Sequence, residues 1–271
     1  MTMSTEIGTE AVDVHDVYSP ANDRRFTVWS WRPDGDGPFP LLVLLHGVWD
    51  SGGHGWWRNA HVHEQVAALV RSGTLTDPPV IVMPPDTGAS GGTAYADWAD
   101  GTTRAETFIA DELLDWAGRT FPLDGRRWVT GLSMGGYGAL LVALRHPGTF
   151  VSATSTSGYF DPRQMLTYVP AMESRVWGDR NGIEAHSVAA LLEDPHRRTG
   201  LRIAFDCGVD DPHCDHNRVM HARLDELGVD HGYAEHSGGH TWDYWRDHVV
   251  DHVRFHAGLP GPLGDVVGSA R

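Results

Sequence analysis

The chain has 271 residues, 41% of them apolar, which is enough for a folded domain with a full core. A formal charge of −15 repels phosphate backbones and anionic headgroups, so nucleic-acid and membrane-surface partners are not expected and the acidity is read as serving solubility. The N-terminus MTMSTEIGTEAVDVHD has no basic start or apolar stretch, and the run Leu41–Leu45 is far short of the roughly 20 residues a spanning helix needs; a cytoplasmic protein with two free thiols, Cys207 and Cys214, is expected.

Residues 12–18 and 24–32 read as strands, the second from the alternation Phe26-Thr27-Val28-Trp29-Ser30-Trp31. Turn residues 19–23 join them, and the pair is expected as an antiparallel edge. Beyond Pro40 the pattern changes. Leu41–Leu45, Val80–Met83, Arg127–Thr130 and Leu201–Phe205 are short, largely apolar runs suited to a parallel sheet covered on both faces. Helical stretches fall at 62–71, 103–119, 134–145, 215–227 and 241–256. The second carries Phe108, Ile109, Leu113 and Trp116 on one stripe. Strand–helix alternation predicts an α/β chain with a doubly wound, mostly parallel sheet. One domain over residues 1–258 is expected, with 84–102 as a long loop and 158–200 as an insertion of short helical pieces that shapes the pocket. Residues 259–271 read as a flexible tail.

The decisive segment is Gly131-Leu132-Ser133-Met134-Gly135, a G-x-S-x-G directly after a strand and directly before a helix. Such a turn exposes the serine hydroxyl at the carboxyl end of the sheet, and the helix N-terminus favours developing negative charge there. This context predicts the α/β-hydrolase fold with Ser133 as nucleophile. A serine hydroxyl needs a base, and the base needs a partner; in this fold both follow the serine in the order acid, then histidine.

Of 17 histidines, His240 stands out because Ser237-Gly238-Gly239-His240-Thr241-Trp242 is a Gly-rich loop between a strand and the last helix. His248, His252 and His256 recur every four residues along that helix and read as a solvated face. Asp210 and Asp211 both lie in the loop after the strand ending near Phe205, and the residues alone leave the choice open. The neighbouring His213, Cys214, Asp215 and His216 are metal-ligand types, but no recognised metal spacing joins them, so no metal is expected. For the oxyanion the expected donors are the backbone N–H groups of Met134 and Val48, the latter in the loop after Leu41–Leu45. His46 reads as structural. Of 11 tryptophans, Trp49 and Trp177 are the candidates for lining the substrate pocket.

These residues resemble an esterase family of α/β-hydrolases that includes esterase D (S-formylglutathione hydrolase), tributyrin-type esterases, feruloyl esterase modules and antigen 85 mycolyltransferases. The resemblance runs over about residues 40–256. It is strongest at Gly131–Leu140 with Arg145-His146-Pro147 and Phe150, and is supported by Leu44-Leu45-His46-Gly47, Val82-Met83-Pro84, Thr107–Leu113 and Gly238–Trp242. It implies that Asp211, the second Asp of its pair, is the acid, and that catalysis needs no cofactor. The cysteine typical of the S-formylglutathione hydrolase oxyanion loop is absent from Gly47-Val48-Trp49-Asp50, which points away from that thioester. The expected function is hydrolysis of a small-molecule carboxylic ester (or thioester) through an acyl-enzyme. Two alternatives are transfer of the acyl group to an alcohol, sugar or amine by the same triad and a non-catalytic protein on this scaffold. The sequence does not set the oligomeric state.

Overall fold

The computed structural model describes residues 3–6, 11–48, 52–88, 92–166 and 173–264. Its strands are β1 (Met3–Glu6), β2 (Ala11–Ser19), β3 (Arg24–Trp31), β4 (Phe39–Leu45), β5 (Val80–Met83), β6 (Leu123–Leu132), β7 (Ser152–Thr156), β8 (Arg202–Gly208) and β9 (Gly232–His236). They form one sheet in the order β1-β2-β3-β5-β4-β6-β7-β8-β9. The pairs from β5 through β9 are all parallel, whereas β1, β2 and β3 run antiparallel to their neighbours. The β2–β3 pair is therefore as expected, but it is not the edge: β1 adds outside β2, with Met3 opposite Val14.

The helices are α1 (Gly55–Arg58), α2 (Val62–Arg71), α3 (Ala105–Thr107), α4 (Leu113–Thr120), α5 (Met134–Arg145), α6 (Pro162–Leu166), α7 (Arg180–Ala185), α8 (Val188–Glu193), α9 (Cys214–Glu226) and α10 (Trp242–His256). The single helix expected over 103–119 is α3 and α4 joined by a π-helical turn, Phe108–Glu112. The apolar strands are covered on both faces, as their composition requires. Along β4, Leu41, Val43 and Leu45 face one cluster with Phe108, Tyr137 and Leu140. Leu42 and Leu44 face another with Trp56, Val66, Trp245 and Val249.

Strand β7 escaped the sequence reading because Ser-Ala-Thr-Ser-Thr looks like a surface segment. Its side chains are buried all the same. The reason lies on α10: His256 Nδ1 meets Ser152 Oγ at 2.7 Å, and His256 Nε2 meets Thr130 Oγ1 at 2.7 Å and Thr154 Oγ1 at 3.3 Å. Buried hydroxyls are tolerated when they are hydrogen-bonded. The solvated histidine face expected on α10 is thus corrected, since His252 and His256 are buried and point at the sheet. Residues 259–264 also depart from the expected tail: Leu263 is buried against Ala204 and Phe255. Residues 265–271 lie outside the described residues. Both cysteines are free and buried. Among the described residues, no helix is long and apolar enough to cross a membrane.

Candidate active site

Ser133 sits between the end of β6 and the start of α5 with φ 53° and ψ −119°. For a residue with a β-carbon this backbone costs on the order of 1–3 kcal/mol and persists only where its surroundings enforce it. Here the Ser133 N–H donates to Thr156 O at the end of β7 (3.0 Å), and its carbonyl accepts from Tyr137 N (3.1 Å) in the first turn of α5. The neighbouring strand end is clamped as well. The Tyr95 hydroxyl accepts from His46 N at 2.9 Å and donates to His46 O at 3.1 Å. His46 is buried, with Nδ1 at 2.8 Å from Gly47 O, which fits a structural part.

Three loops at the carboxyl end of the sheet then converge. Asp211 follows β8 and His240 follows β9, and the two loops are tied by Asp210 N donating to Gly238 O at 2.9 Å. They approach so closely that a Cβ on Gly208 would lie 2.3 Å from the Gly238 carbonyl oxygen, so glycine is required there. His240 precedes α10, whose first turn is capped by Thr241 Oγ1 accepting from Tyr244 N.

The result is a relay. His240 Nδ1 is 2.8 Å from Asp211 Oδ2, and His240 Nε2 is 3.0 Å from Ser133 Oγ. The Asp211 side chain is fully buried, while His240 stays 28% exposed. Burial works to raise the Asp211 carboxyl, but the bonds from His240, His213 N–H and the Ser157 hydroxyl outweigh it and hold the group below the usual carboxylate range. Asp210 is exposed and outside this relay; of the two aspartates it is Asp211 that meets His240.

A supporting layer was not foreseen. Trp245 presents its ring edge to His240, with centroids 4.9 Å apart at 87°, and its Nε1 donates to Ser157 Oγ at 3.0 Å. Ser157 is fully buried with φ 53°. Below it, Asp206 is sealed between Tyr244 Oη (2.6 Å) and His252 Nε2 (3.0 Å), pinning α10 to β8. No motif signals these contacts; they arise because α10 crosses the ends of β7 and β8.

Met134 is the first residue of α5, where backbone N–H groups have no intrahelical acceptor. The segment carrying Val48 passes close to the nucleophile, since a Cβ on Gly47 would lie 3.3 Å from Ser133 Cβ. Trp49 lies outside the described residues. Trp177 is only 3% exposed and belongs to the core cluster with Val176 and Ile183, which places it as a packing residue rather than an open pocket wall. Trp56 and Trp57, also near the site in sequence, are likewise buried in the core. The candidate metal ligands near the acid do converge: Asp211, His213 and His240 bring ligand atoms within 4.8 Å of one another, whereas Cys214, Asp215 and His216 stand apart from that group. The hydrogen bonds of Asp211 and His240 to each other and to Ser133 occupy the same atoms.

A family model described as "Putative esterase" matches residues 19–256. An acetyl esterase of Caldicellulosiruptor saccharolyticus is 30% identical over 160 residues, 53% of this chain and 60% of that protein. A diacylglycerol acyltransferase/mycolyltransferase, Ag85B of Mycolicibacterium smegmatis, is 35% identical over 112 residues, 38% of this chain and 34% of the relative. The matches thus span less than two thirds of either relative. Among solved structures, an S-formylglutathione hydrolase from Agrobacterium tumefaciens superposes with a TM-score of 0.81 at 19% identity, covering 97% of this chain and 99% of that one. A ferulic acid esterase superposes at 0.77 with 24% identity, covering 91% and 97%. These likenesses show the α/β-hydrolase fold.

Proposed function

Since the chain belongs to this esterase family of α/β-hydrolases, we propose that it hydrolyses a small-molecule carboxylic ester by way of an acyl-Ser133 intermediate. The observation that carries the reading is the unbroken relay from Asp211 through His240 to Ser133, at 2.8 and 3.0 Å. Ser133 Oγ attacks the carbonyl carbon while His240 Nε2 takes its proton. Asp211 accepts from Nδ1–H and fixes the tautomer that leaves Nε2 free to act as base. The oxyanion is received by the N–H groups of Met134 and Val48, fixed donors aimed where charge develops. His240 returns the proton to the leaving alcohol. Water, activated by the same imidazole, then releases the acid and restores the serine. No step requires a cofactor.

A fluorophosphonate probe tests this directly. It should label one serine, Ser133, and abolish hydrolysis of a p-nitrophenyl acetate reporter in proportion to labelling; modification elsewhere, with Ser133 untouched, overturns the assignment. A second reading draws on the similarity to the acyltransferase Ag85B. In it an alcohol, sugar or amine intercepts the acyl-enzyme in place of water. Partition of a common acyl donor between acid and added glycerol or trehalose distinguishes the two readings, because hydrolysis alone yields no new ester.

A further inference from the structure

Away from the active site, α9 and the loop entering the edge strand β9 bring together His221, Asp225 and His231. His221 and Asp225 are four residues apart on α9, so they share one helix face. His231 comes from the turn after that helix. His221 Nδ1 and His231 Nε2 are 2.8 Å apart, and His221 Nε2 is 3.6 Å from Asp225 Oδ2.

The two imidazoles share one proton. His231 Nδ1 lies 2.7 Å from Val229 O, a carbonyl that can only accept, so Nδ1 carries the proton and Nε2 presents a lone pair to His221. A neutral His221 then donates Nδ1–H to His231 Nε2 and keeps a lone pair on Nε2, with the exposed Asp225 carboxylate 3.6 Å from it and free to move. A cation that replaces the shared proton, with a turn of the Asp225 side chain, takes one nitrogen from each imidazole and one carboxylate oxygen, which already lie within 4.8 Å of one another.

The surroundings are those of a built ligand set. His231 has its outer nitrogen tied to a backbone carbonyl, the usual arrangement for a metal-bound imidazole. Its ring lies flat on Phe205, with centroids 5.6 Å apart at 7°. His221 lies on Tyr233 of β9, at 4.4 Å and 26°. The nearby guanidinium groups are already neutralised: Arg218 by Glu235 and Asp215, Arg223 by Glu193 and Glu226. We propose that His221, Asp225 and His231 form a binding site for a borderline divalent cation of the Zn²⁺ class, clipping α9 to the edge strand. Zn–N bonds of about 2.0–2.1 Å in tetrahedral geometry require the imidazole nitrogens to part by about half an ångström from their present spacing, a small adjustment for partly exposed side chains. Water completes the coordination. The clip binds the folded chain only, so it stabilises by mass action.

Calorimetric titration of the full chain with Zn²⁺ tests the site, with Co²⁺ and its visible absorption as a spectroscopic probe. One saturable site is expected, with a rise in melting temperature. His221→Gln, His231→Gln and Asp225→Asn should each weaken binding about tenfold or more; Asp225 is exposed, so that variant keeps the fold if the histidine variants do not. Ester hydrolysis without added metal should be unchanged in all three. Controls separate the two other histidine–carboxylate groups, His236 with His248 and Asp251, and Asp211 with His213 and His240. Parental affinity in the three variants, loss of the site in His236→Gln or His213→Gln instead, or no saturable binding overturns the proposal.

Discussion

A β-carbon on Gly131 would lie 1.9 Å from the carbonyl oxygen of Gly135. The two glycines of the G-x-S-x-G segment are in backbone contact across the turn that carries Ser133, and neither side can yield without moving β6 or α5. Gly131→Ala should therefore cost about 3 kcal/mol, the upper end of ordinary overpacking. Denaturant unfolding checks this, and a variant with parental stability would mean that the turn is looser than its geometry implies.

Substitutions at the two adjacent aspartates should separate sharply. Asp211→Asn keeps the shape but can no longer hold His240 in the productive tautomer, and kcat should fall about 10⁴-fold, as when a triad acid loses its charge. Asp210→Asn, on an exposed residue outside the relay, should leave kcat near parental. Steady-state rates on a p-nitrophenyl ester give the comparison, and the reverse order would move the acid to Asp210.

Ser157 joins the acid to α10, since its hydroxyl takes the Trp245 indole proton and bonds Asp211. Ser157→Ala leaves a buried indole N–H without its acceptor, a cost of about 1–3 kcal/mol. Because Asp211 also loses a bond, kcat should fall while KM changes little. A variant with reduced stability but parental kcat would confine Ser157 to a packing part.

Stability should fall as the solution is acidified from pH 8 to 5. Burial drives His213 down to about 4 and His256 well below its ordinary value, and it also lowers His15, His186 and His236. These rings refuse protons in the fold that the unfolded chain accepts near pH 6.5, so stability is lost as pH falls through about 6.5. His248, raised by its bond to Asp251, opposes the trend. Below about pH 4 a second loss follows. Burial works to raise the Asp206 and Asp211 carboxyls, but their histidine partners hold both below the ordinary range, and their contribution disappears as they protonate. Melting temperature against pH checks the sign; a flat profile between 8 and 5 contradicts it.

His256→Leu should destabilise by more than the loss of one hydrogen bond. The ring meets Ser152, Thr130 and Thr154 together, and an aliphatic replacement strands the Ser152 hydroxyl at roughly 1–3 kcal/mol while Thr130 and Thr154 keep only their bond to each other. Pairing His256→Leu with Ser152→Ala should recover part of the loss in melting temperature.

Features written in local pattern are legible in the sequence. The apolar runs of β4 and β5, helix α5 from Met134 to Arg145, and the elbow at Ser133 each depend on residues close together in the chain. His240 was legible for the same reason, because its glycines precede a helix. What stayed hidden depends on distant partners. Strand β7 is buried only because α10 brings His256 to its hydroxyls, so its polar composition misleads. Likewise His252 reads as a surface residue until Asp206 is seen 3.0 Å away. Trp177 reads as available for a pocket because it lies in a loop or helix start near the site, yet the packing of its segment buries it.

The relay also sets a clock on biosynthesis. Ser133 and His240 are 107 residues apart in the chain. At about 5–20 residues per second, the ribosome delivers the base roughly 5–20 s after the serine. Throughout that interval the nascent chain carries a serine without its proton acceptor, and it stays chemically quiet even if its central strands have already paired. Reactivity arrives only when β8, β9 and α10 have docked in succession. Under the proposed function, appearance of esterase activity in a translation reaction should report completion of the last crossover rather than formation of the elbow.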